Sequence, residues 1–138
     1  MFVQTINATD VRKHFSEFID MIVREKPAVI KRNRDYVFSL SMEDMCFILE
    51  QYRFSADKYI EDDGSITLSL NEIDLAVNEP TLENAVDSMA KEIKEYAEEY
   101  YENFKLYYNS SNRKKHLPYI LRILTSGSIE DIRGMIDA

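Results

Sequence analysis

The stretch Thr5-Ile6-Asn7-Ala8-Thr9-Asp10-Val11-Arg12-Lys13-His14-Phe15-Ser16-Glu17-Phe18-Ile19-Asp20-Met21-Ile22, closed off by Pro27, decides the fold of the N-terminal part of this 138-residue chain. Phe2–Ile6 is a short β-prone run, and Asn7 with Asp10 three residues on offers an N-cap close to a capping box. A strand therefore feeds a helix. Across residues 8–26 the apolar Val11, Phe15, Phe18, Ile19 and Ile22 recur at helical spacing until Pro27 stops the pattern. The expectation is one continuous helix with a buried face, and with Arg12 and Lys13 pointing outward from its first turns.

Working outward, Ala28–Arg32 and Tyr36–Leu40 are β-branched and aromatic runs separated by Asn33-Arg34-Asp35, the pattern of a hairpin with a polar turn. Ser41 then caps a helix over Met42–Arg53, with Asp44 at the box position and Met45, Ile48, Leu49 and Tyr52 on one face. Residues 1–53 read β-α-β-β-α.

Beyond Phe54 the pattern changes, and residues 54–138 read as a second domain. Lys58–Glu61 and Ser65–Leu70 flank Asp62-Asp63-Gly64, a tight hairpin turn, and Leu75–Val77 adds a short strand before Pro80. Thr81 caps a helical pattern through Leu82, Ala85, Val86, Met89, Ile93, Tyr96, Ala97, Tyr100 and Phe104. Carried to Tyr108, that helix would be about 40 Å long at ~1.5 Å per residue. A polar loop at 109–115 leads to a helix over Leu117–Leu124, and Ser128 with Asp131 opens a last helix carrying Ile129, Ile132 and Ile136 inward. The fold class is α+β: the N-terminal unit, then a hairpin, a long helix and two C-terminal helices.

With 45% hydrophobic and 30% charged residues and only three Gly and three Pro, the composition is that of a globular protein. Cys46 is the only cysteine, so no internal disulfide can form; among apolar helical neighbours it reads as a small buried hydrophobe in a reducing cytoplasm. No stretch approaches a membrane span of ~20 apolar residues, and neither a secretory nor a membrane-anchored location is expected. His14 and His116 have no cysteine neighbour and no i, i+4 histidine partner, so a metal site is not expected. There is no glycine-rich phosphate loop and no G-x-S-x-G, which points away from an enzyme and from any cofactor. Glu92, Glu95, Glu98, Glu99 and Glu102 read as the wet face of the long helix rather than as metal-binding carboxylates.

The net charge of −8 is uneven: residues 1–41 carry seven Lys/Arg against five Asp/Glu, so a mildly basic head precedes an acidic body. Five of the nine tyrosines fall within residues 96–108. One helical stripe cannot hold all of them together with Phe104. Core packing is the expected use of Tyr96, Tyr100 and Phe104, and an interface that of Tyr101 and Tyr108.

Ile6-Asn7-Ala8-Thr9-Asp10-Val11-Arg12-Lys13-His14-Phe15-Ser16 resembles the "I-S-x-S-E-A-R-x-N-L/F-S" helix opening of the Phd/YefM antitoxins. Val29-Ile30-Lys31-Arg32-Asn33 resembles their "I-T-R" strand, and Phe38-Ser39-Leu40-Ser41-Met42-Glu43-Asp44 their "V-L-V-S-L-E-E" junction. The three pieces occur in the family's order. The resemblance implies a dimer or dimer of dimers that binds operator DNA, represses its own operon and neutralises a cognate toxin. Carried over by position, it implies DNA contacts at Arg12 and Arg32, with Lys13, Lys31 and Arg34 as electrostatic neighbours. The family's hairpin usually carries a Gly where this chain has Asn33-Arg34-Asp35, and its members often end in a segment that orders only on the toxin. Here residues 55–138 read as folded. Their hairpin followed by Glu79-Pro80-Thr81-Leu82-Glu83-Asn84-Ala85 is similar to HicB-type antitoxins over residues 55–108. On this reading a basic toxin, with an RNase as one class, meets Tyr101, Phe104 and Tyr108. The competing readings are a stand-alone transcriptional regulator whose C-terminal domain senses a ligand or holds a dimer together, and, with least support, a metal-dependent enzyme.

Overall fold

A computed structural model describes residues 1–138, which divide into two compact units, Met1–Ile48 and Leu49–Ala138. The first unit runs β1 (Thr5–Asn7), α1 (Ala8–Lys13), α2 (Phe15–Arg24), β2 (Ala28–Arg32), β3 (Asp35–Ser39) and α3 (Met42–Leu49), α3 ending one residue past the division. Its sheet has the order β1-β2-β3, with β1 parallel to β2 (Ile6 beside Ile30) and β2 antiparallel to β3 (Arg32 beside Asp35). The two-residue turn between them holds Asn33 at φ 54. That is the left-handed region, which asparagine tolerates better than most residues and which spares this hairpin a glycine.

The continuous helix expected over residues 8–26 is broken at His14, whose backbone lies at φ −126, ψ 47. The break brings Val11 from α1 and Phe18 and Ile22 from α2 into one small core with Ala28. Phe15 and Ile19, expected in the same buried face, are left outside, together with Val23. Nor does the Asn7 side chain cap α1. Ser41 does cap α3, accepting a hydrogen bond from the Asp44 N–H at 3.1 Å, but α3 stops at Leu49 rather than Arg53.

The second unit contains β4 (Phe54–Ile60), β5 (Ile66–Leu70), β6 (Ala76–Glu79), α4 (Leu82–Glu102), α5 (Phe104–Tyr108), a 3-10 turn (Lys114–His116), α6 (Leu117–Leu124), α7 (Ile129–Arg133) and β7 (Ile136–Asp137). The sheet order is β6-β5-β4-β7, antiparallel except for the β4–β7 pair. Gly64, at φ 85, closes the β4–β5 turn, with Asp63 accepting hydrogen bonds from the Ser65 N–H and hydroxyl. Thr81 and Ser128 cap α4 and α7 by accepting from the Asn84 and Asp131 N–H groups. One core joins the sheet to the helices through Phe54, Leu68, Ile73, Met89, Ile93, Tyr100, Ile120 and Ile132.

Three local features depart from the sequence reading. The long helix stops at Glu102, because Asn103 sits at φ −118, ψ 41 and its side chain donates to the Glu99 carbonyl, completing a C-cap. Ile136 is not on a helix but pairs with Phe54 as part of β7. Tyr52 and Arg53 belong to the second unit: Arg122 donates to the Tyr52 carbonyl, and Arg53 clamps Asp137 and the Gly134 carbonyl.

Candidate functional site

In the first unit, the parallel pairing of β1 with β2 lays the start of α1 beside the end of β2. Asn7, Ala8, Thr9 and Asp10 face Lys31, Arg32 and Asn33 across an open cleft of about 400 Å³. Two of the five basic residues singled out in the sequence, Lys31 and Arg32, thus line one recess. Each has a local partner that fixes its direction: Arg32 pairs with Asp35 at 3.1 Å, and the Lys31 ammonium lies 5.6 Å from the centre of the Tyr36 ring. Arg34 sits exposed in the hairpin turn. Arg12 and Lys13 are exposed but outside the cleft, and since α1 is only six residues long they occupy its last turn, not its first turns as expected. Any support for an anion from the helix N-terminus is therefore unavailable to them.

The same unit carries an exposed apolar surface, of which the sequence pattern had placed Phe15 and Ile19 inside. Phe15, Ile19 and Val23 follow one another at i, i+4 and i+8 along α2 and are all exposed. Tyr36, Val37 and Phe38 on the edge strand β3, and Met42, Phe47 and Ile48 on α3, are exposed as well. Cys46, expected to be buried, is exposed among them on α3. The signal was present in the sequence: with Val11, Phe15, Phe18, Ile19, Ile22 and Val23 all apolar, the helical region has more apolar surface than one buried face can use.

In the second unit the helix break at Asn103 sorts the aromatic cluster. Tyr100 is fully buried and donates its hydroxyl hydrogen to the Arg113 carbonyl at 2.8 Å. Tyr96 is half-buried and shares a 2.8 Å hydrogen bond with His116 Nδ1. Burial pushes both phenols above their ordinary values and the His116 imidazole below its own, with nearby Arg113 and Lys115 adding to the effect on the histidine. The basic cluster at 113–115 folds back on the tyrosines, Arg113 lying 4.5 Å from the centre of the Tyr107 ring and Lys114 5.0 Å from that of Tyr108. Tyr108 is half-buried and stacked on Phe104 at 5.5 Å. What faces solvent is Tyr101 (64% exposed), Phe104 (38%) and Leu106 (66%), the last of which was not picked out from the sequence.

No three His, Cys, Asp or Glu side chains converge to hold a metal ion, and no helix is long and apolar enough to cross a membrane. Taken with its relatives, this two-unit architecture has a family. The family PHD_like, described as "Antitoxin of toxin-antitoxin, RelE / RelB, TA system", matches residues 1–138. The chain belongs to this antitoxin family. A crystal structure of the antitoxin part of a candidate toxin/antitoxin system from Syntrophomonas wolfei subsp. wolfei is 40% identical to it, with a TM-score of 0.92 over 98% of this chain and 97% of that one. No curated protein sequence gives a match.

The antitoxin is not an enzyme, and a cognate toxin is its implied partner. Its two clusters of interest lie in different units: the Lys31–Arg32 cleft in the first, and Tyr101, Phe104 and Leu106 in the second. The charge of the antitoxin divides in the same way. Residues 1–48 carry seven Lys/Arg and seven Asp/Glu, whereas residues 49–138 carry ten against eighteen.

Proposed function

We propose that this antitoxin neutralises its toxin through the folded body 49–138 and represses its own operon by binding operator DNA through a dimer of the unit 1–48, in the Phd/YefM manner. The observation that carries the reading is that the whole net negative charge of the chain falls in the second unit, which also exposes Tyr101, Phe104 and Leu106. A toxin that acts on RNA or the ribosome needs a basic surface for its substrate, and an acidic body covers such a surface with complementary charge. The aromatic side chains then supply anchoring area at low entropic cost, Tyr108 bracing Phe104 by stacking.

For DNA, Lys31 and Arg32 in their cleft, with the exposed Arg12, Lys13 and Arg34 outside it, are the phosphate contacts of this proposal. The exposed Phe15–Ile19–Val23 stripe and the edge strand β3 supply the dimer face, since a unit with so small a core gains most by burying shared apolar surface. Such a protein works in the cytoplasm, as a dimer or a dimer of dimers.

The test uses the full chain. In gel-shift titrations over a range of salt, Lys31→Ala and Arg12→Ala should each weaken operator binding and lower the salt slope by about one. A variant with the parent's affinity and slope removes that residue from the DNA contact. In co-expression, Tyr101→Ala with Phe104→Ala should weaken toxin binding by ~2 kcal/mol or more, the size of an interface hot spot. Full neutralisation by that double variant would move the toxin contact elsewhere.

A further inference from the structure

The sheet of the second unit ends on an incompletely covered strand. β7 is two residues long and pairs only with Phe54 and Ser55, whereas β4 continues to Ile60. Backbone direction along β4 alternates: the Phe54 N–H donates to the Met135 carbonyl on the β7 side at 2.9 Å, and the Glu61 N–H donates to the Ser65 carbonyl on the β5 side at 2.9 Å. Odd-numbered residues therefore bond β5 and even-numbered ones face outward. The N–H and C=O groups of Lys58 and Ile60 lie along the open edge, beyond the end of β7. The register with β5 is unbroken from Ala56–Leu70 to Ile60–Ile66, so no bulge twists this edge away, and no proline interrupts it. Tyr59 is 53% and Ile60 73% exposed. Proteins commonly blunt such an edge with a bulge, a proline or a covering element. Here only the charges of Asp57, Lys58 and Glu61 guard it.

We propose that residues 57–61, the last four residues of β4 and Glu61 beyond them, are the docking line for an extended basic segment of the toxin, which adds to this sheet as a further strand. The proposal rests on the reading that the second unit is the toxin-binding body, and it names the mode of contact. A second copy of the chain fits poorly. Two-fold antiparallel pairing that keeps the sheet faces continuous sets Lys58 against its own copy, or Asp57 against Glu61, or runs at once into the turn at Asp62. A basic segment fits well. Asp57, Tyr59 and Glu61 share one face of the strand and Lys58 and Ile60 the other, by the alternation of side chains. A segment with Lys or Arg at alternate positions would lay its charges beside the two carboxylates and the Tyr59 ring, and its apolar residues beside Ile60. Main-chain hydrogen bonds to Lys58 and Ile60 would hold it.

Amide hydrogen exchange on the full, isotopically labelled antitoxin tests this, with two probes: the toxin encoded beside it, and the peptide Lys-Val-Lys-Val-Lys-Val, with Glu-Val-Glu-Val-Glu-Val as control. In the free protein the Lys58 and Ile60 amides should exchange at least about tenfold faster than those of Tyr59 and Glu61. Toxin and basic peptide should each slow them about tenfold or more, and the acidic peptide should not. Ile60→Pro, which removes an outward N–H and spares the β5 ladder, should abolish the protection. Asp57→Lys with Glu61→Lys should do so through charge alone, and it serves if the proline variant misfolds. Toxin that binds while both amides still exchange freely overturns strand addition and leaves the toxin-binding body standing. Peptide protection without toxin binding overturns that body and leaves the edge site standing. Equal protection by the acidic and basic peptides overturns the charge selectivity proposed for the edge.

Discussion

Tyr100 is fully buried yet keeps a hydroxyl, which donates to the Arg113 carbonyl at 2.8 Å and ties the loop after α5 to α4. Tyr100→Phe leaves that carbonyl without its partner and should destabilise the second unit by ~1 kcal/mol, read as a lower urea midpoint at unchanged slope. His116 packs on Tyr96 in the same aromatic cluster, and its pKa is held below the ordinary 6.5 by burial first, with Arg113 and Lys115 reinforcing and Asp74 opposing. A depressed histidine pKa means that the unfolded chain takes up a proton before the folded one does. The contribution of His116 is therefore fully present above about pH 6.5 and declines as the pH falls from there toward the lower folded value. Urea midpoints measured between pH 7.5 and pH 5.5 should fall for the parent and fall less for His116→Gln. Parallel curves for the two proteins would show that the imidazole does not titrate differently on folding.

At the scale of elements, α2 sets the expectation for assembly. Its stripe of Phe15, Ile19 and Val23 stays exposed although Phe18 and Ile22 already serve the core, so Ile19→Asp should leave the unit folded and convert the proposed dimer to monomers in light scattering. A variant that keeps the dimer mass places the shared face elsewhere. The starts of helices were legible because a cap is a local event: Ser41, Thr81 and Ser128 each bond the backbone three residues on, within one short window of sequence. The breaks at His14 and Asn103 were not legible, since neither has a proline or glycine to mark it, and apolar spacing runs on through both. The exposed stripe was legible only as an excess of apolar residues, because periodicity shows that a face is apolar, not what covers it. Arg32 was picked out by motif and Lys31 as its electrostatic neighbour, but their meeting with Asn7–Asp10 depends on β1 lying parallel to β2. β7 exists only because Phe54 accepts it as a neighbour from the far end of the unit, a pairing no local pattern records.

For the whole molecule, the separation of charge between the units makes their tasks experimentally separable. The second unit has its own core, capped helices and a four-stranded sheet, and Tyr52 and Arg53 are bonded into it through Arg122, Asp137 and the Gly134 carbonyl. A division at Ile48/Leu49 therefore keeps these ties, whereas a cut after Arg53 would strip them from the second unit. Residues 49–138 produced alone should show substantial helix by circular dichroism without any partner, because a body with this much internal packing does not need a toxin to fold. That fragment should still neutralise toxin in co-expression while losing operator repression, and residues 1–48 should do the reverse. Association of toxin with the acidic fragment should slow steeply with added salt, since exposed charge acts over roughly the 8–10 Å Debye length and mainly sets the encounter rate. Dissociation should respond instead to Tyr101→Ala and Phe104→Ala, which remove buried anchors rather than long-range charge. A 49–138 fragment that is folded but does not neutralise would move the toxin contact to the N-terminal unit and leave the acidic body needing another partner.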